Sequence, residues 1–118
     1  MVKVLISSES RYPVDREKIK AAITSVLKSR HINYSVEVSV LICGERKSRT
    51  LAKKYLHDDK SHNVLSFPQE DLHILGDIVI CYPIAQQEAN RDNVLVDTKI
   101  SELVSHGMLH LLGEHHPE

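Results

Sequence analysis

The sequence predicts an α+β (α/β-like) fold, one domain over residues 1–118 with a small mixed sheet of about four strands packed by helices. Three observations predict it. Segments with period-2 hydrophobicity alternate along the chain with segments of helical period. At 118 residues there is length for a single modest core. No internal repeat, linker or low-complexity stretch divides the sequence.

The elements follow in order. Residues 2–6 (VKVLI) read as a short strand. Asp15 is placed to cap a helix over about residues 16–30, with Ile19, Ala22, Ile23, Val26 and Leu27 on one stripe. From Tyr34 to Ile42 apolar and polar residues alternate, with Tyr34, Val36, Val38, Val40 and Ile42 on the inward face of a half-buried strand. A helix fits residues 45–56 with Leu51, Ala52, Tyr55 and Leu56 inward. HDDKSH (57–62) is a polar loop, and an extended NVLSF follows that Pro68 ends. Gly76 precedes IVIC (78–81), a short apolar run typical of a central strand. Pro83 suits the first turn of a helix over about 83–92. Asp97 or Thr98 is expected to cap a last long helix that runs to about Leu112 and stops at Gly113.

Composition removes several classes of function. There is no apolar run of about 18 residues to cross a bilayer and no long apolar leader, so a cytoplasmic protein without a membrane partner is expected. Cys43 and Cys81 lie in apolar strand-like runs, and buried reduced thiols fit that setting better than a disulfide. The net charge of −1 argues against wholesale wrapping of nucleic acid. The charge is uneven, however: ERKSRTLAKK (45–54) carries Arg46, Lys47, Arg49, Lys53 and Lys54 against one acid. A solvated helix face explains such a run as well as a phosphate track does.

Eight histidines are the compositional oddity, and their placement carries the chemistry. In His106-Gly-Met-Leu-His110-Leu-Leu-Gly113-Glu-His-His116 the first two lie four apart, on one helix face. Gly113 ends the helix and turns the chain back, bringing His116 toward the same ion. Three neutral imidazoles and one open position form a catalytic zinc site, with one zinc per chain and a bound water in the fourth place. Ile100, Leu103, Val104, Gly107, Met108 and Leu111 form the apolar stripe, and the histidine pair borders it. The spacing matches metzincin proteases, which place a Glu base directly after the first His. Gly107 stands there and moves no proton, so a peptidase is disfavoured and no protein base is assigned. His57, Asp58, Asp59 or His62 in HDDKSH offer a further metal site, but a solvated loop bordering the cleft accounts for them.

These residues resemble a known family, the YbeY-type rRNA maturation factors, which are metal-dependent endoribonucleases. Its hallmark is similar to H-G-x-L-H-L-x-G-x-D-H, and the chain reads HGMLHLLGEHH over 106–116. NVLSFP at 63–68 and GDIVIC at 76–81 resemble it in the right order, so the likeness covers most of residues 35–116. The resemblance implies a mixed sheet, a zinc ion in a cleft held by His106, His110 and His116, and cleavage of single-stranded RNA during ribosome maturation. It implies an rRNA precursor as substrate and the ribosome or a subunit as partner. The chain departs from the pattern at His115, which replaces the motif's Asp and is a possible zinc-shell partner or rival ligand. Leu56 occupies the position of the family's phosphate-contacting Arg, leaving Arg49, Lys53 and Lys60 as substitutes. Relatives usually continue into a further helix beyond the position of His116.

Two other functions fit the same residues. One is a zinc peptidase or amidase with a base outside the motif. The other is a ribosome-associated binding protein whose zinc is structural, closed by His115 as fourth ligand. One Phe, four Tyr and no Trp leave few stacking platforms for bases, so RNA contacts are expected to be largely electrostatic and salt-sensitive.

Overall fold

The computed structural model describes residues 1–114, so His115 and His116 lie outside the described residues. Elements run β1 (Val2–Ser8), α1 (Arg16–Ser29), β2 (Val36–Cys43), α2 (Glu45–Leu56), β3 (Val64–Pro68), β4 (Ile74–Cys81), α3 (Tyr82–Asp92) and α4 (Val96–Leu111), with a short 3₁₀ turn at Glu9–Arg11. The four strands form one mixed sheet in the order β1-β2-β4-β3. β1, β2 and β4 run parallel, and β3 pairs antiparallel to β4 at the edge, with Leu65 opposite Val79 and Ser66 opposite Ile78. The expected α+β class and strand number are the observed ones.

The alternation in β2 sorts its side chains between two layers. Val36, Val38, Val40 and Ile42 are buried on the face that also takes Ile19, Ile23 and Leu27 of α1 and Ile100, Val104, Met108 and Leu111 of α4. The opposite face is smaller: Cys43, Leu65 and Val79 pack under Ala52 of α2. Tyr34 falls before the strand and is 41% exposed, so the alternation overreached by two residues. Cys43 and Cys81 are register neighbours on adjacent strands and both are free thiols. Burial, then the neighbouring thiol, pushes Cys43 up to about 12, and burial raises Cys81 as well. Burial thus disfavours the thiolate form at both positions.

Helix ends show which sequence signals decide a boundary. Asp15 caps α1 by accepting from the Lys18 amide at 3.1 Å. The cap foreseen for α4 at Asp97 or Thr98 is not used: the helix starts at Val96, and Leu95 precedes it without a side-chain cap. Asp97 is the second residue of the helix and accepts instead from the Asp15 amide at 3.1 Å, tying the starts of α1 and α4 together. A missing cap costs about 1 kcal/mol. Burying Ile100, Leu103, Val104, Met108 and Leu111 contributes roughly 1.5–3 kcal/mol each, so packing sets this helix. The inward face expected of α2 is also revised. Ser48 and Ala52 are buried there, Leu51 is half-buried, and Tyr55 and Leu56 are 54% and 49% exposed. The sheet under the C-terminal half of α2 is left uncovered, and that gap is what makes a groove possible.

Candidate metal centre

α4 carries His106 and His110 on successive turns, at the edge of the buried stripe that anchors the helix. Both side chains are half-buried. Their Nε2 atoms lie 3.0 Å apart, with ring centroids at 4.6 Å and planes inclined by 44°. Two nitrogen donors at 2.0–2.1 Å from one tetrahedral ion stand about 3.3 Å apart. The observed pair therefore fits a shared ion after a shift of a few tenths of an ångström. One proton bridges two ring nitrogens at this distance; without it, two lone pairs converge on one point. Imidazole pairs suit zinc and related transition metals.

Gly107 explains how the pair is brought so close to the sheet. A Cβ at this position would meet Ile78 Cγ2 at 3.0 Å and Ser66 Oγ at 3.2 Å. Ser66 Oγ also donates to the Gly107 carbonyl at 3.3 Å, fastening α4 to β3. The peptidase Glu is absent by identity, and a side chain at position 107 would be crowded against the sheet.

The reversal expected at Gly113 is present, at φ 85°. The Gly113 amide donates to the His110 carbonyl at 3.0 Å and the Glu114 amide to the Leu109 carbonyl at 2.8 Å. This is the paired bonding of a Schellman end. Glu114 then receives Arg30 Nε at 2.5 Å and Nη2 at 2.7 Å, so the C-terminal turn is held against the end of α1. Among the described residues, which exclude the expected third ligand His116 and the rival His115, no three or more His, Cys, Asp or Glu are grouped to hold an ion.

The histidine pair opens into a cleft of about 340 Å³, bounded by Leu56, His62, Asn63, Val64, Leu65 and Ser66. Across β3 lies a larger groove of about 680 Å³ whose walls include Lys47, Tyr55 and Phe67. Its floor is polar where Ser39 Oγ donates to Asp77 Oδ1. Leu56 and Ser66 border both cavities. Tyr55 and Phe67 rings lie 5.3 Å apart, and Lys54 Nζ is 5.2 Å from the Tyr55 ring. Arg49 and Lys53 are exposed on α2 and Lys60 on the loop after it, and none of the three lines either cavity. Lys47 does, from the same basic helix.

Sequence reasoning missed Tyr55 and Phe67, whereas the HDDKSH loop borders the cleft as expected, through His62. Helical spacing put Tyr55 inward; it meets Phe67 of β3 but walls an open groove over the sheet instead of joining the core. The adjacency of HDDKSH to NVLSFP was the available signal for His62.

Fold and site together define a small α+β protein with a histidine-lined cleft at one edge of its sheet. The family model described as Endoribonuclease YbeY matches residues 5–118. Among curated relatives, the Endoribonuclease YbeY of Cellvibrio japonicus is 33% identical over 120 residues, covering 98% of this chain and 67% of the relative. That of Thermobifida fusca is 32% identical over 124 residues, covering 96% and 80%. A solution structure of TM1509 from Thermotoga maritima superposes with a TM-score of 0.64 at 25% identity, covering 99% of this chain and 75% of that one. The chain belongs to the endoribonuclease YbeY family. No helix among the described residues is long and apolar enough to cross a membrane.

Proposed function

We propose that this protein is a zinc-dependent endoribonuclease that cuts single-stranded RNA in rRNA processing and ribosome maturation, working in the cytoplasm with the ribosome or a subunit as partner. The observation that carries the reading is the convergence of His106 and His110 Nε2 atoms at 3.0 Å inside an open cleft, in a chain of an endoribonuclease family. His106 and His110, joined by His116, would hold one zinc per chain. Bound there, the ion supplies a Lewis acid for a phosphoryl oxygen and acidifies a water.

The residues around it provide the means to hold a single strand. The exposed Tyr55 ring beside Phe67 offers a base a stacking surface, and Lys47 and Lys54 stand near it for phosphates. A strand following the groove meets the histidine cleft where Leu56 and Ser66 border both. Leu56 at the family's Arg position gives that junction no cation, so phosphate contacts come from the groove side. Closure of position 107 by Ile78 and Ser66 leaves the peptidase alternative without its usual base. The test is incubation of single-stranded RNA with the purified protein, followed by mapping of product ends. Cleavage abolished by chelator and by His110→Ala is the expected result. Cleavage indifferent to both belongs to a contaminating nuclease and contradicts the proposal.

A further inference from the structure

The zinc-site spacing leaves the proton acceptor unassigned, and Gly107 is closed to one by packing. We propose that His62, oriented by Asp58, takes the proton from the attacking water in the histidine cleft; this rests on the nuclease reading above. Among the described residues lining that cleft, the titratable side chains are His106, His110 and His62. The first two are committed to the metal, which leaves His62. Glu102 borders a smaller adjoining depression that shares Asn63, Val64 and His106 with the cleft, but its carboxylate is engaged by Lys99 Nζ at 3.0 Å.

Three features of His62 suit the role. Its Nε2 lies 2.9 Å from Asp58 Oδ2, and a carboxylate there holds the proton on Nε2 and leaves the lone pair on Nδ1. The two side chains are 34% and 37% exposed, open enough to exchange protons with solvent. The backbone of His62 is fixed from both sides by the fully buried Ser48, whose Oγ donates to the His62 carbonyl and accepts from its amide, each at 3.1 Å. The next residue is fixed as well, since Asn63 Nδ2 donates to both Glu88 carboxylate oxygens at 3.2 Å. A loop residue held this way keeps its place without reorganisation, which is what positioned proton transfer needs.

The step balances as a hydrolysis. Water gives one proton to Nδ1 as its oxygen bonds to phosphorus. The bond from phosphorus to the leaving ribose oxygen breaks, that oxygen takes a proton from solvent, and the imidazolium returns its proton to solvent.

The experiment compares wild type, His62→Ala, His62→Gln and Asp58→Asn at matched zinc content on one single-stranded RNA. Removal of a general base typically costs 10²–10⁴-fold in kcat, so losses of about that size are expected for both His62 variants, with KM and zinc content unchanged. Added imidazole restores part of the His62→Ala rate, and Asp58→Asn is intermediate. A misfolded variant shows neither normal KM nor rescue, and His62→Gln, close in size, repeats the comparison. Wild-type kcat in His62→Ala and His62→Gln overturns the proposal, as does absence of imidazole rescue in a His62→Ala protein of normal KM. Zinc loss in His62→Ala makes His62 a ligand and also overturns it. Each of these leaves chelator-sensitive wild-type cleavage standing; a wild type that cuts no RNA overturns the nuclease reading and this inference together.

Discussion

Between His106 and His110 stands a residue without a side chain, and α4 lies close enough to β3 and β4 there that a Cβ would crowd Ile78 and Ser66. That closeness sets where the two imidazoles emerge, and it defines the chemistry the site lacks as much as the chemistry it has. A Glu introduced at position 107 must displace Ile78 or Ser66. Overpacking of this kind costs about 1–3 kcal/mol. Gly107→Glu is therefore expected to lower Tm by several degrees and to gain no peptidase activity, measured by thermal unfolding and a casein assay; an unchanged Tm contradicts the packing. The Gly at this position was legible in the sequence as the absence of a base. Its steric reason was not, since Ser66 and Ile78 are 41 and 29 residues away in the chain.

α4 is a helix because of what it buries, and its start lacks the side-chain cap that spacing suggested. Its N-terminal half is joined to α3 by charge: Lys99 Nζ lies 2.6 Å from Asp92 Oδ2, and Arg91 Nε 2.9 Å from Asp92 Oδ1. The Asp92 carboxyl is held well below the usual carboxylate range, first by the Arg91 hydrogen bond and then by the Lys99 one. A depressed folded pKa stabilises above the unfolded value near pH 3.9 and loses its effect as pH falls through the folded value. The stability gap between wild type and Asp92→Asn is thus expected to be full at neutral pH and to shrink as pH drops below about 4, read by denaturant melts. A gap that widens on acidification contradicts the pairing. Elements with a clean period, such as α1 and β2, were readable from the chain. α2 misled, because its Tyr55 and Leu56 have the spacing of core residues but stand over an open groove on the sheet instead of packing onto it. Only the way α2 sits on the sheet, a tertiary property, turns them into walls of a groove.

At the scale of the molecule the sheet separates two tasks. One face, under α1 and α4, holds most of the buried apolar residues and so the stability. The other, under α2, keeps a smaller cluster and leaves the groove open. The histidine cleft sits at the β3 edge, where α4 meets the loop after α2, so it forms only when both layers are in place. The fold class and the three histidines could be argued from spacing, since each signal is local. The cleft's remaining walls come from segments distant in sequence, and no periodicity reports them. One local signal is held in place by a long-range contact: the turn at Gly113 is secured through Glu114 to Arg30. The decisive measurement is zinc content by elemental analysis of wild type, His106→Ala, His110→Ala, His115→Ala and His116→Ala. About one zinc per chain, lost on replacing residue 106, 110 or 116 and kept in His115→Ala, is the expected result for an open three-histidine site. Wild type that carries no metal in any preparation, or that keeps it without His106 and His110, contradicts that site.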